Sequence, residues 1–344
     1  MRVLRGLVAL GAASALRRGP RAPTARALLS TTSRSLASQG KRGEREVLAL
    51  DFDGVICASS GESSYTSLLA ACDFWPQQVS IPADSSEFQI IKEGVHRLRP
   101  IVETGYENML LVRYLHEELQ KTGKVDVDGL MKTWTPDLRD ALLKSYGSDK
   151  VTMIRAFGDS RDALIAKDLA FWVDLNEIYP CAGASLAGQH VEYTIVTTKQ
   201  ARFVRAILTR NRITPPPDGK LFDLENPFGP KTKVLQAMLR GLPATSTSLS
   251  ASDLAHIPLL LPDQRPFIHF VEDRVETLLV ILESGAELRD NTKLYLVEHG
   301  YNTEAQREVA RKHKDITLLS PAGFEELVSS FSHSADTIRL VEHN

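Results

Sequence analysis

Val47-Leu48-Ala49-Leu50-Asp51-Phe52-Asp53-Gly54-Val55-Ile56 is the stretch around which the chain is organised. Val47 to Leu50 reads as a short strand with both faces buried, as in a parallel sheet. Asp51 and Asp53 follow where that strand should end. Side chains two apart on an extended backbone share a face, so both carboxylates can point into one small space. Gly54 lets the chain turn away beneath them. Two carboxylates ~5 Å apart repel by roughly 3 kcal/mol at an effective dielectric of 20. No need of the fold accounts for that repulsion, which points to a cation or a catalytic task. The plainer alternative is an Asx-turn in which one Asp caps the next element.

With 344 residues, the chain has room for two ordinary domains or for one domain with a large insertion. A hydrophobic fraction of 43% fits a globular protein with a substantial core. The net charge of -2 gives no broad basic surface, so nucleic acid is not an expected partner. Cys57, Cys72 and Cys181 have neither disulfide nor zinc spacing, which indicates a reducing compartment. Residues 1–40 carry Arg2, Arg5, Arg17, Arg18, Arg21, Arg26 and Arg34 among Ala, Ser and Leu, with no acid before Glu44. That is the composition of an organelle transit peptide, mitochondrial first and plastid second, with a disordered basic tail as the alternative. The run from Leu7 to Leu16 is too short to span a membrane, and no membrane association is expected.

Ser59 to Ser64 reads as a Gly/Ser-rich loop, and Tyr65 to Trp75 as a helix ended by Pro76. From Pro82 to Glu177 the pattern is persistently helical, with Arg99 to Gln120 as one helix and Pro100 in its first turn. Beyond it strands alternate with helices: strands at Glu192–Val196, Leu221–Phe222, Phe267–Val271, Lys293–Val297 and Ile316–Leu319. Residues 241–266 read as an irregular surface loop. Such alternation predicts an α/β fold with a doubly wound parallel sheet and an inserted all-α domain. The core would comprise residues 46–56 and 185–330, and the helical cap residues 57–184. Ligands of such sheets sit beyond the carboxyl ends of the strands.

Three further stretches lie at predicted strand or helix ends. They are Tyr193-Thr194-Ile195-Val196-Thr197-Thr198-Lys199, Gly229-Pro230-Lys231-Thr232-Lys233-Val234-Leu235 and Phe267-Ile268-His269-Phe270-Val271-Glu272-Asp273-Arg274. With Asp51-Phe52-Asp53-Gly54 at their head, they resemble the four ordered motifs of the haloacid dehalogenase superfamily. The resemblance covers about residues 46–320 and places a cap where the helical insertion lies. It implies Asp51 as a nucleophile that forms an aspartyl phosphate, and Asp53 as the proton carrier. It implies Thr197 and Lys231 as phosphate-binding residues, with Lys233 in reserve for the lysine. Asp51, Asp53 and Asp273 would serve the metal, with Glu272 as a further ligand. The chain departs from the pattern here, since Glu272 stands where Gly or Asp is common, and Glu276 is the alternative to it. His269 reads as a core residue of its strand.

The three aspartates are matched in charge by one Lys and a divalent cation, and hard oxygen ligands with open positions suit Mg²⁺. Phe157-Gly158-Asp159-Ser160-Arg161-Asp162 looks like a rival fourth motif but precedes the second, so it reads as a loop with Asp159 or Ser160 capping a helix. The implied activity is hydrolysis of a small phosphorylated metabolite. A phosphomutase, a metal-independent dehalogenase and a non-catalytic binding protein on the same fold remain the alternatives. Glu103-Thr104-Gly105-Tyr106-Glu107 is a candidate recognition segment.

Overall fold

The computed structural model describes residues 45–188 and 190–332. The transit-peptide reading of residues 1–40 lies outside them. In chain order the elements begin with β1 (Glu46–Leu50), β2 (Cys57–Ala58), α1 (Ser60–Phe74), α2 (Ser86–Arg97) and α3 (Tyr106–Thr122). Then come α4 (Val127–Thr133), α5 (Pro136–Ser145), α6 (Lys150–Lys167), α7 (Leu169–Asp174), β3 (Glu177–Ile178) and α8 (Pro180–Leu186). The chain returns to the sheet with β4 (Tyr193–Val196), α9 (Ala201–Arg210), β5 (Leu221–Phe222), α10 (Lys231–Met238) and β6 (Phe267–Glu272). It finishes with α11 (Val275–Glu283), α12 (Ala286–Arg289), β7 (Thr292–Val297), α13 (Glu304–Lys312), β8 (Ile316–Leu319) and α14 (Pro321–Ser329).

Six strands form one sheet in the order β5-β4-β1-β6-β7-β8, and every pairing is parallel. The apolar run of β1 takes the central place because both its faces are covered. Leu48 and Leu50 pack on one side with Leu186, Phe203, Val204 and Phe324 of α8, α9 and α14. Ala49 packs on the other with Val234, Leu235, Leu278 and Ile281 of α10 and α11. From β1 the chain moves to β4 and β5 on one flank, then crosses to β6 on the other. That reversal creates a crevice beyond the carboxyl end of β1, where ligands of doubly wound folds bind.

The elements between β1 and β4 have an apolar centre of their own, built on Leu68, Trp75, Phe88, Ile91, Tyr106, Met109, Met153 and Phe157. Where the chain leaves for this insertion and where it returns, β2 and β3 pair antiparallel, Cys57 against Ile178 and Ala58 against Glu177. Glu177 ends the stretch read above as persistently helical, Cys57 and Ala58 fall in no expected element, and pairs that short leave no alternation to detect.

Three local expectations need correction. Ser60 to Ser64 is the start of α1 rather than a loop. The Ser63, Ser64 and Ser67 hydroxyls bond back to carbonyls three or four residues earlier, so they do not compete with the helix. Arg99 to Gln120 is not one helix: Arg99–Ile101 is a short 3₁₀ turn, and α3 begins only at Tyr106. Finally, Phe157 to Asp162 is no loop but the middle of α6, whose cap is Asp149 accepting from the Thr152 N–H at 2.9 Å.

Gly105, just before α3, brings that backbone against α6. A Cβ there would sit 2.4 Å from Cε1 of Phe157. Its φ of -50° suits any residue, so contact alone makes the glycine necessary. Gly105→Ala should therefore cost about 1–3 kcal/mol by overpacking, and Gly105→Ala with Phe157→Leu should regain most of it. Urea unfolding of both variants checks this, and equal stability of the two would show that the contact is not the constraint.

Candidate active site

The chain turns sharply after β1. Gly54 adopts φ +84°, and a Cβ there would lie 2.0 Å from Oδ2 of Asp273. At Gly300 a Cβ would lie 2.3 Å from the Asp273 Cβ. Two glycines thus leave the space that Asp273 occupies. Its Oδ2 accepts the Tyr301 N–H at 2.8 Å, and its carbonyl accepts from the Asn302 amide at 3.0 Å.

Asp51, Glu272 and Asp273, all buried, bring one carboxylate oxygen each within 4.8 Å of one another. Lys231 at the start of α10 reaches Asp51 Oδ2 at 2.9 Å and Glu272 Oε2 at 2.6 Å. The Asp51 carboxyl is pushed up to about 7, chiefly by burial, with Lys231 opposing the rise and Glu272 and Asp53 adding to it. Glu272 and Asp273 are also raised, in each case mainly by burial. Burial opposes the charge on Lys231 as well, but Asp51 and Glu272 outweigh it and hold the ammonium protonated. Three acids share one lysine, so the donor set fits a divalent cation with oxygen ligands. Asp51, Glu272 and Asp273 are the residues that would hold it.

Asp53 lies two residues on in a different environment. Its Oδ1 accepts from the buried Lys199 ammonium at 3.1 Å. Burial alone would raise the carboxyl, but Lys199, Arg99, the Ser59 hydroxyl and Arg161 together hold it below its ordinary value. Behind Lys199 stands Glu62 of α1, fully buried, 3.9 Å from the ammonium. Glu62 accepts from Arg161 of α6 at 2.7 and 2.6 Å, from Thr66 at 2.8 Å and from the Trp172 indole of α7 at 3.2 Å. This chain of charges joins three helices of the insertion to Asp53. At a second junction the Val102 carbonyl accepts from Arg99 at 2.9 Å and from Arg274, which follows Asp273, at 2.8 Å.

Of the residues singled out in the sequence, Asp51, Lys231, Glu272 and Asp273 come together directly. The Asp53 carboxylate falls outside the acidic cluster, turned to Lys199. Thr197 is buried beyond the end of β4, where its Oγ1 accepts the Lys199 N–H at 3.1 Å. Its own N–H is spent on the Phe222 carbonyl at 2.9 Å, leaving the hydroxyl proton as its free donor. Lys233 points elsewhere, to Gln236 at 3.0 Å. Glu276 is half-exposed, accepts from Gln306 at 2.6 Å and stands outside the acidic group. Asp162 pairs with Arg202 at 2.7 Å, well removed from a metal role. Lys199, Glu62, Arg99 and Arg161 were not singled out, although Lys199 lies within the quoted strand-end stretch. A lysine directly after a buried strand end was the available signal.

Two expectations follow. Glu62→Gln leaves Arg161 and Lys199 buried beside a neutral group and should cost about 3–5 kcal/mol in urea unfolding. A loss below ~1 kcal/mol would mean that the pair behaves as a surface bridge. The second concerns the acidic cluster. Folded-state acids raised above their ordinary values contribute stability at low pH and lose it as pH rises. For Asp51 that window runs from 3.8 to about 7. Mg²⁺ should abolish this decline and raise the melting temperature, by about 2.7 kcal/mol of stability at 100 times Kd. Identical pH profiles with and without Mg²⁺, or a full Mg²⁺ response in Asp273→Asn, would show that no cation is held there.

No protein-family model matches the sequence, and no curated protein matches it. Solved structures do resemble it in outline. One, described as a predicted phosphatase from Clostridium acetobutylicum, has 13% identity and a TM-score of 0.44, covering 83% of this chain and 99% of its own. A predicted phosphoglycolate phosphatase from Haemophilus somnus 129PT has 14% identity and a TM-score of 0.42, covering 83% and 99%. A haloacid dehalogenase-like hydrolase from Streptococcus pneumoniae has 12% identity and a TM-score of 0.42, covering 83% and 98%. At these TM-scores the likeness assigns no activity to this chain.

Proposed function

We propose that this chain is a phosphomonoester hydrolase of the haloacid dehalogenase type. It would act through an aspartyl phosphate, with Mg²⁺ as the cation and the helical insertion as a cap. The observation that carries this reading is the opposed environment of two aspartates on one strand end. Asp51 lies among Lys231, Glu272 and Asp273, while Asp53 lies against Lys199.

Asp51 attacks phosphorus through a carboxylate oxygen, forming a P–O bond as the bond to the leaving alcohol breaks. Lys231, already bound to Asp51, faces the charge of the transferring group. The Thr197 hydroxyl is the free donor on the β4 side. The cation, when bound by Asp51, Glu272 and Asp273, supplies charge stabilisation to the phosphoryl oxygens. Asp53 is ionised at rest, and the negative charge of an arriving phosphate raises its affinity for a proton. That proton passes to the leaving alcohol. Ionised again beside Lys199, Asp53 takes a proton from water, whose oxygen attacks phosphorus and releases Asp51 and phosphate.

With 4-nitrophenyl phosphate and Mg²⁺, Asp51→Asn should show neither turnover nor covalent phosphate. Asp53→Asn should release a burst approaching one nitrophenol per active enzyme, because that leaving group departs without a proton. Its steady turnover should then drop by roughly 10²–10⁴-fold, with a phosphate-sized mass gain on the protein. A burst from Asp51→Asn would reverse the two roles. Normal turnover in both variants would remove the acidic pair from the chemistry.

A further inference from the structure

We propose that Tyr301 is a positioning residue that couples cation binding at the acidic cluster to the seating of the insertion. Its main chain holds Asp273, while its side chain holds α1 and the turn at Arg99. The proposal rests on the hydrolase reading only in taking Asp273 as a ligand and Mg²⁺ as the cation.

Tyr301 lies in the turn between β7 and α13, and that turn is pinned to Asp273 at three consecutive residues. The Tyr301 N–H donates to Asp273 Oδ2 at 2.8 Å. The Asn302 amide donates to the Asp273 carbonyl at 3.0 Å and to the Val297 carbonyl at 2.9 Å. Gly300 is packed so closely that a Cβ on it would stand 2.3 Å from the Asp273 Cβ and 2.7 Å from the Gly54 carbonyl oxygen. The turn therefore moves with Asp273. A cation that fixes the Asp273 carboxylate restricts the turn as well.

The side chain of Tyr301 reaches the other way. Its hydroxyl oxygen accepts the Ser60 N–H at 2.8 Å, from a residue 241 positions away. Ser60 opens α1, and the first N–H groups of a helix have no partner within it. Ser59, just before the helix, makes no capping bond with its side chain, because its hydroxyl is turned to Asp53. The core thus caps a helix end that the insertion leaves open. The phenol stays neutral, pushed up to about 12 chiefly by burial. Over its ring lies the Arg99 guanidinium, 4.4 Å from the centroid, and Arg99 donates in turn to the Val102 carbonyl at 2.9 Å.

Both contacts fall on parts of the insertion that bear on Asp53. Ser59 bonds to that carboxylate directly, and Glu62, the third residue of α1, stands 3.9 Å from the Lys199 ammonium. Lys199 in turn lies 3.1 Å from Asp53 Oδ1. One residue therefore spans the two halves of the site, from a ligand of the cation to the groups that surround Asp53.

Amide hydrogen exchange of the full chain, with and without saturating Mg²⁺, tests the coupling, and calorimetry establishes saturation in the same samples. In the unaltered protein Mg²⁺ should slow exchange in residues 57–66 and 99–104 by roughly 5- to 10-fold. Tyr301→Phe keeps the main chain and the ring and loses only the oxygen that accepts from Ser60. It should remove the Mg²⁺ response of residues 57–66 and keep that of residues 99–104. Arg99→Met should do the reverse, which keeps the proposal testable if Tyr301→Phe fails to fold. A Mg²⁺ response that survives in residues 57–66 of Tyr301→Phe, or in residues 99–104 of Arg99→Met, overturns the proposal. Faster exchange spread evenly over the sheet, with both responses kept, does the same, since it makes Tyr301 a structural residue only. If Mg²⁺ binds the unaltered protein and leaves both segments unchanged, the coupling fails and the hydrolase reading stands. If no Mg²⁺ binds, the cation assignment fails and the coupling falls with it.

Discussion

The structure depends on burying ionised groups at one end of a parallel sheet. A buried charge survives only when paired, and each pairing here draws in a separate part of the chain. Lys231 comes from α10 to Asp51 and Glu272, while Lys199 comes from beyond β4 to Asp53. Glu62 and Arg161 come from the insertion. Since β1 lies between β4 and β6, the three strand ends that carry Asp51, Lys199 and Asp273 are adjacent. A slip of one residue in any of those parallel registers would turn the charged set away from the crevice. The alternate packing of Leu48, Ala49 and Leu50 on opposite faces of the sheet opposes such a slip.

Glu62 shows how the insertion and the sheet act on the same site. It satisfies Arg161, Thr66 and Trp172 within the insertion while facing Lys199. The acidity of Asp53 is thereby tied to how the insertion is seated, because Lys199 is the chief cation holding that carboxyl down. Burial opposes the charge on Glu62, yet Arg161 and Lys199 outweigh it and keep it ionised. The Val102 carbonyl, bound by one arginine from each side of the crevice, adds a second junction. A shift of the insertion would disturb both, so the seating of the insertion and the charge state of Asp53 are coupled.

The sheet was legible in the sequence because its strands are short apolar runs ended by chemistry-bearing residues, as in Val47–Asp51 and Phe267–Asp273. Where local signals conflicted with tertiary contacts, the sequence misled. Ser60 to Ser64 looks like a loop, but buried hydroxyls can bond to the preceding turn and a buried Glu62 can anchor the helix. Arg99 to Gln120 keeps helical periodicity across a break at Val102, where the backbone turns extended. In Phe157 to Asp162, Gly158 and Ser160 suggested a turn, whereas those residues lie in the middle of α6. The acidic cluster could be read because its members stand next to strand ends. The Glu62–Arg161 pair could not, since the two residues are 99 positions apart and neither lies in one of the four ordered motifs.

Asp51 and Asp53 share a strand end and a chemical type, so only their surroundings can divide the labour between them. Burial beside two further acids leaves Asp51 reluctant to ionise until positive charge arrives, and the same acids are the groups that would attract a cation. In the proposed mechanism Asp51 would therefore be a weaker nucleophile without a cation than with one. Asp53 has the opposite problem. Lys199 and the nearby arginines keep it ionised, which would suit a base in the second step of the proposed mechanism but not an acid in the first. In the proposed mechanism, negative charge brought by a phosphate would reverse that preference, so a proton would be taken up as substrate binds and passed to the alcohol as it leaves. On that proposal each carboxylate would be mismatched to its task in the resting site and corrected by the species it meets, Asp51 by a cation and Asp53 by a phosphate.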